Sequence, residues 1–183
     1  MPRKVRFSLQ HQDSAQIALH HSDLTEALKG YFKASYGSYP ERFVGYTPKE
    51  LAEELQARLD EIDRASVFSL LSAVEAAFRI DYLQRCQAKK KKREDISQEL
   101  RSIYEEKGTR ASFKDHILPA WKREPTIRAG LISDLIAAFR YRDWLAHGRY
   151  WTAKLGRKYD YESVYKLVED ILDSFPFVEA DAE

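Results

Sequence analysis

The sequence predicts an all-α fold, a helical bundle preceded by an N-terminal extension. Three observations lead there. Seven glycines and six prolines are few for 183 residues, and they punctuate the chain rather than interrupt its long segments. Within those segments apolar residues recur at spacings of three and four, the helical period, and not in alternation. Apolar residues make up 44% and charged residues 32%, a balance that supports a packed core and argues against both disorder and a membrane protein. At this length one domain is the default.

In chain order, VRFSL reads equally as a short strand or an extended arm. DSAQIALHHSDLTEALKGYFKASYG reads as one or two helices ending around Gly37, and SYPERFVGY as a loop. Thr47, Pro48 and Glu50 together form a helix start: an N-cap, a first-turn proline and a capping-box glutamate. The pattern then runs to Cys86 without glycine or proline, with a break expected near Asp63 to Ser66. Lys89 to Lys92 read as a solvated helix end or a secondary contact to an RNA backbone. EDISQELRSIYEEKG is a short amphipathic helix with Gly108 past its end, and SFKDHILPAWKREP a helix or turn interrupted by Pro119. TIRAGLISDLIAAFRYRDWLAHG is the most informative helix, and Gly148 is placed to terminate it. After the linker RYWTAKLGRKYD, YESVYKLVEDILDSF forms a last helix stopped by Pro176. The expected organisation is an extension over 1–46 packed on the bundle, a helical domain over 47–178 and an acidic tail over 179–183.

Several classes of function are excluded. No apolar run approaches the roughly 18 to 20 residues of a membrane span, and the polar start MPRKVRFSLQHQD supplies no signal peptide, so the expected location is cytoplasmic. Cys86 is the only cysteine, which rules out an intrachain disulfide or a cysteine-based zinc site; its apolar neighbours mark it as buried filler. His20 and His21 are adjacent and cannot share a helix face, so with Asp23 they make a poor metal site. Phosphate-binding loops, dinucleotide-binding glycines, HExxH and GxSxG elbows are missing. No cofactor or metal is expected.

A net charge of +1 precludes nucleic-acid binding by bulk charge. The positive charge is local instead: Arg140, Arg142, Arg149, Lys154, Arg157 and Lys158 fall close together, opposed only by Asp143. On a wheel of ~100° per residue, Leu131, Ile132, Leu135, Ile136, Phe139 and Ala146 share one face. Arg142 and Asp143 lie on that same face. A charge in an apolar stripe costs several kcal/mol unless it is paired or lines a cleft. Glu75, inside the apolar face drawn by Val67, Leu71, Val74, Phe78 and Tyr82, is a ready partner for Arg142, either locking two helices or supporting a site. Asp143 and His147, at i and i+4, are spaced for the carboxylate to orient the imidazole. The spacing R-x4-H arises by chance roughly 0.4 times in such a chain, and Arg6 with His11 repeats it outside any core helix. Context separates the two.

Arg142, Asp143, Trp144, Leu145, Ala146 and His147, followed by Gly148, resemble the R-x4-H motif of HEPN domains, which are α-helical and carry Asn, Asp or His at the second position. The resemblance extends from about Thr47 to Pro176. It implies that two protomers bring their motif helices together as a homodimer, forming one composite ribonuclease site with Arg142 and His147 as catalytic residues. The implied reaction is metal-independent attack by the RNA's own 2′-hydroxyl, leaving a 2′,3′-cyclic phosphate and a 5′-hydroxyl. A base, an acid and cations suffice for that chemistry. Such proteins act as toxins or antiviral-defence effectors restrained by an antitoxin or other regulatory partner; the alternative is a non-catalytic adaptor or antitoxin that binds protein or nucleotide. Some members carry a tyrosine two places after the histidine that a nucleotidyltransferase modifies. Arg149 stands there, with Tyr150 one place later. Arg149, Tyr150, Lys154, Arg157 and Lys158 are the expected RNA contacts, whereas Trp151 and Tyr159 are expected to pack the linker onto the core.

Overall fold

The structure, a computed structural model, describes residues 7, 8, 10–33, 41–87 and 94–178. The lysine run, the acidic tail, Arg6 and most of the segment VRFSL lie outside them. Among the described residues there are six α-helices and no strands: α1 (Ser14–Tyr31), α2 (Pro48–Gln87), α3 (Asp95–Lys107), α4 (Leu118–Arg123), α5 (Ala129–Ala146) and α6 (Tyr161–Ser174). The fold is all-α, and none of these helices is long and apolar enough to cross a membrane.

Helix α2 organises the bundle, packing against α1, α3, α5 and α6. It starts where the sequence places it: the Thr47 N–H donates to Glu50 Oε2 at 2.8 Å and the Glu50 N–H returns to Thr47 Oγ1 at 3.3 Å. The expected break near Asp63 to Ser66 is absent, and 40 residues run as one helix. Residues there have tertiary partners in place of a cap: Asp63 Oδ1 bonds His21 Nε2 at 2.9 Å and Ser66 is buried. From Val67 onward the row Leu70, Leu71, Val74, Phe78 and Tyr82 is buried.

Helix α1 opens with a capping box between Asp13 and Gln16 and ends at Tyr31; the predicted end near Gly37 lies outside the described residues. It is fastened by His21, whose ring stacks on Tyr161 of α6 at 3.6 Å while bonding Asp63. Glu41–Phe43 forms a 3-10 turn where a plain loop was expected, because Phe43 is buried against Phe32. Gly108, at φ 57°, ends α3 as predicted. Pro119 does not interrupt its segment. It occupies the first turn of α4, where a missing N–H costs nothing, directly after a π-helical turn at Phe113–Ile117. In the core the Phe78 ring meets those of Phe113, Trp121 and Phe175, and Phe113 in turn meets Phe139.

Cys86 is half-buried, not fully interior. Its thiol donates to the Leu100 carbonyl at 3.4 Å, and burial pushes its pKa up to about 12.

Candidate functional site

Helix α5 packs on α2 and buries Leu131, Ile132, Leu135 and Phe139, as the wheel predicts, together with Ala138 and Tyr141, while Ile136 of the same predicted face is only part-buried. The prediction fails at the end. Ala146 is exposed because the last turn of α5 runs off the edge of the core. Arg142 sits at that edge, half-buried.

The anticipated pair is present: Arg142 Nη2 donates to Glu75 Oε2, and the side chains are 24% and 18% exposed. The other Glu75 oxygen accepts from Arg79 Nε at 2.8 Å, so one carboxylate bridges two guanidiniums. The Arg142 guanidinium also lies 5.2 Å from the Phe139 ring centroid. Its Nε is buried without a hydrogen-bond partner.

Asp143 does not hold the imidazole. Its Oδ1 accepts from Arg142 Nη1 at 3.3 Å and its Oδ2 from Lys114 Nζ. Lys114 arrives on the π-helical turn, a geometry frequent at functional sites. His147 is linked to Asp143 only through the backbone, its N–H donating to the Asp143 carbonyl at 3.0 Å. As the C-cap of α5, His147 is exposed, with its ring 6.1 Å from that of Trp151. Three cations, Arg79, Lys114 and Arg142, therefore converge from three elements on two carboxylates. The surplus positive charge suits a phosphate.

Beyond the helix, Gly148 at φ 76° and Arg149 at φ 60° turn the chain through two successive left-handed residues. The predicted RNA contacts then diverge. Arg149 reaches back to Glu61 Oε1 at 2.7 Å, and this bond lowers the Glu61 pKa and raises that of Arg149. Tyr150 is 83% exposed and Lys154 is exposed. Arg157 lies 3.4 Å from Asp134 and Lys158 lies 3.8 Å from Asp160. Tyr159 packs inward as expected, but Trp151 stays 40% exposed; its carbonyl accepts from Trp144 Nε1–H at 2.7 Å and its ring meets those of His147 and Tyr150.

Two residues escaped the sequence reading. Arg79 was legible as the i+4 partner of Glu75. Lys114 carried no signal, since its approach to Asp143 depends on the π-helical turn. Comparison with family models, with curated proteins and with solved structures gives no match.

Proposed function

We propose that the protein is a metal-independent endoribonuclease of the HEPN kind, acting as a homodimer whose motif helices together form the site. The observation that carries this reading is the end of α5. Arg142 is held half-buried by Glu75 among two further cations, and His147 stands exposed on the following turn. Guanidinium groups stabilise the charge of a phosphorane, and an imidazole can serve as general base or general acid. Two copies supply both a base and an acid. A groove of about 460 Å³ between α2 and α5, lined by Ala65, Phe68, Leu145 and Ala146 among others, supports docking of a second copy beside the motif. In the cell such an enzyme serves as a toxin or defence effector under the restraint of a regulatory protein.

The test is RNA cleavage in EDTA by the wild type, Arg142→Ala and His147→Ala. Both variants should lose at least about 100-fold in rate while remaining folded by circular dichroism. Retained cleavage in both sinks the assignment, and a strictly monomeric protein at micromolar concentration counts against the shared site.

One observation favours a second reading, a non-catalytic adaptor: the charges of Arg142 and Asp143 are already engaged by Glu75 and Lys114. Stable binding to a protein partner with no cleavage of any RNA distinguishes it.

A further inference from the structure

A second concavity lies beside the motif. A cleft of about 630 Å³ opens between α2, the C-terminal half of α5 and the linker, with Asp60, Asp63, Trp144, Trp151, Arg157 and Lys158 in its lining. Its size falls within the range of about 300 to 1,000 Å³ usual for small-ligand sites.

The floor of the cleft is aromatic and fixed. Tyr141 stacks on Trp144 at 5.6 Å and on Tyr159 at 5.5 Å, with interplanar angles of 23° and 15°. The Arg157 guanidinium caps the column, 4.9 Å from the Tyr159 ring centroid. At the other end the Trp144 indole N–H donates to the Trp151 carbonyl, and Trp144 and the part-exposed Trp151 both line the cleft. Tyr159 is 6% exposed, yet its hydroxyl is buried with no hydrogen-bond partner, which folding alone does not offset.

Flat aromatic surface flanked by flexible cations matches a base joined to a phosphate. Carboxylates on the opposite wall match the exocyclic amino groups of bases. Asp63 bonds His21 through Oδ1, and its side chain, exposed in part, lines the cleft. We infer that the cleft is a stacking subsite for one nucleotide of a single-stranded RNA, its base against Trp144 and Trp151 and its phosphate on Arg157 and Lys158. The choice of RNA rests on the ribonuclease reading. Trp151 also contacts His147, so a strand leaving the cleft passes the motif directly.

The experiment is quenching of intrinsic tryptophan fluorescence in the His147→Ala protein, titrated with ribonucleoside 5′-monophosphates, ribose 5-phosphate, inorganic phosphate and a short single-stranded oligoribonucleotide. Mononucleotides should quench saturably while the two base-free phosphates do not compete. The oligonucleotide should bind at least about tenfold more tightly than a mononucleotide. Trp151→Ala should weaken oligonucleotide binding about tenfold, the worth of one stacked base. The double substitution Arg157→Ala with Lys158→Ala, at exposed positions that do not carry the fold, should weaken it with a reduced dependence on salt.

Absence of saturable quenching, or equal competition by ribose 5-phosphate, overturns the subsite. Tighter binding of a mononucleotide than of the oligonucleotide makes the cleft a free-nucleotide site and overturns its assignment to RNA. Because binding is read in a variant lacking the motif histidine, failure of the wild type to cleave RNA leaves this result untouched. Conversely, a wild type and a Trp151→Ala protein that cleave with equal kcat/KM overturn the subsite and spare the ribonuclease reading.

Discussion

Two arginines on apolar helix faces meet opposite ends. Arg85 is 1% exposed beside Asp81 at 0%, and each guanidinium nitrogen has a partner. Nε donates to Asp81 Oδ1 at 2.7 Å, Nη1 to Glu94 Oε2 at 2.5 Å and Ser97 Oγ at 2.8 Å, and Nη2 to the Pro176 carbonyl at 2.6 Å. Asp81 in turn accepts the Val178 N–H at 2.9 Å. This network fastens α3 and the chain after α6 onto α2. Arg142 is 24% exposed, has an unpartnered Nε, and faces a second cation across Glu75. A saturated buried arginine is a fastener; a half-open one with donor capacity left over is available for chemistry.

The largest expected effect separates the two. Arg85→Ala leaves Asp81 charged and buried and should cost about 3 to 5 kcal/mol, read as a fall in the urea midpoint or as failure to fold. Arg142→Ala leaves Glu75 still paired with Arg79 and partly solvated, so its cost should be about 1 kcal/mol. Equal losses would erase the contrast.

A smaller effect sharpens it. Arg142→Lys keeps the charge but not the planar fork. It should keep the wild-type unfolding midpoint within about 0.5 kcal/mol and still abolish cleavage, whereas a purely structural arginine would show the two properties moving together.

Smaller again is the response to pH, which should differ in sign at the two ends. Beside Arg85, the Cys86 pKa is raised to about 12 by burial. A thiol held neutral by the fold contributes stability that is complete below its ordinary value and is lost as pH rises towards 12. Urea midpoints should therefore fall from pH 9 upward, less steeply in Cys86→Ala, and a thiol reagent at pH 8 should label Cys86 only after unfolding. At the end of α5 the Glu61 carboxylate is held below its usual range by Arg149. Its contribution is present above that range and lost as pH falls through the lowered value. Both side chains are largely exposed, so Glu61→Gln should remove only a slight acid-side dependence.

The contrast also explains what was legible. Glu75 and Arg142 were found because charges interrupt two apolar stripes, and the same reasoning applies to Asp81 and Arg85, which continue the row of Phe78 and Tyr82. It stopped short of Arg85 because the partners Ser97, Glu94 and Pro176 come from segments whose approach no helical period encodes. The start of α2 and the glycine-marked ends of α3 and α5 were readable because capping is local chemistry. The continuity of α2 through Asp63 to Ser66 was not, since His21 lies 42 residues from the carboxylate it engages. Asp143 was assigned to His147 by spacing, but Lys114, 29 residues away, takes the oxygen.

The unbroken course of α2 also governs which changes in length the chain tolerates. Asp63, Glu75 and Asp81 each meet a partner from a different part of the bundle, and all three ride on one rigid screw. A single residue inserted between Asp63 and Glu75 would rotate everything after it by ~100° and advance it by ~1.5 Å, detaching either His21 or both arginine clusters. The irregular stretch after Gly148 has no such register. Gains and losses of residues should accumulate there, so that the reach of this linker can vary among descendants of this sequence while the spacing along α2 stays fixed.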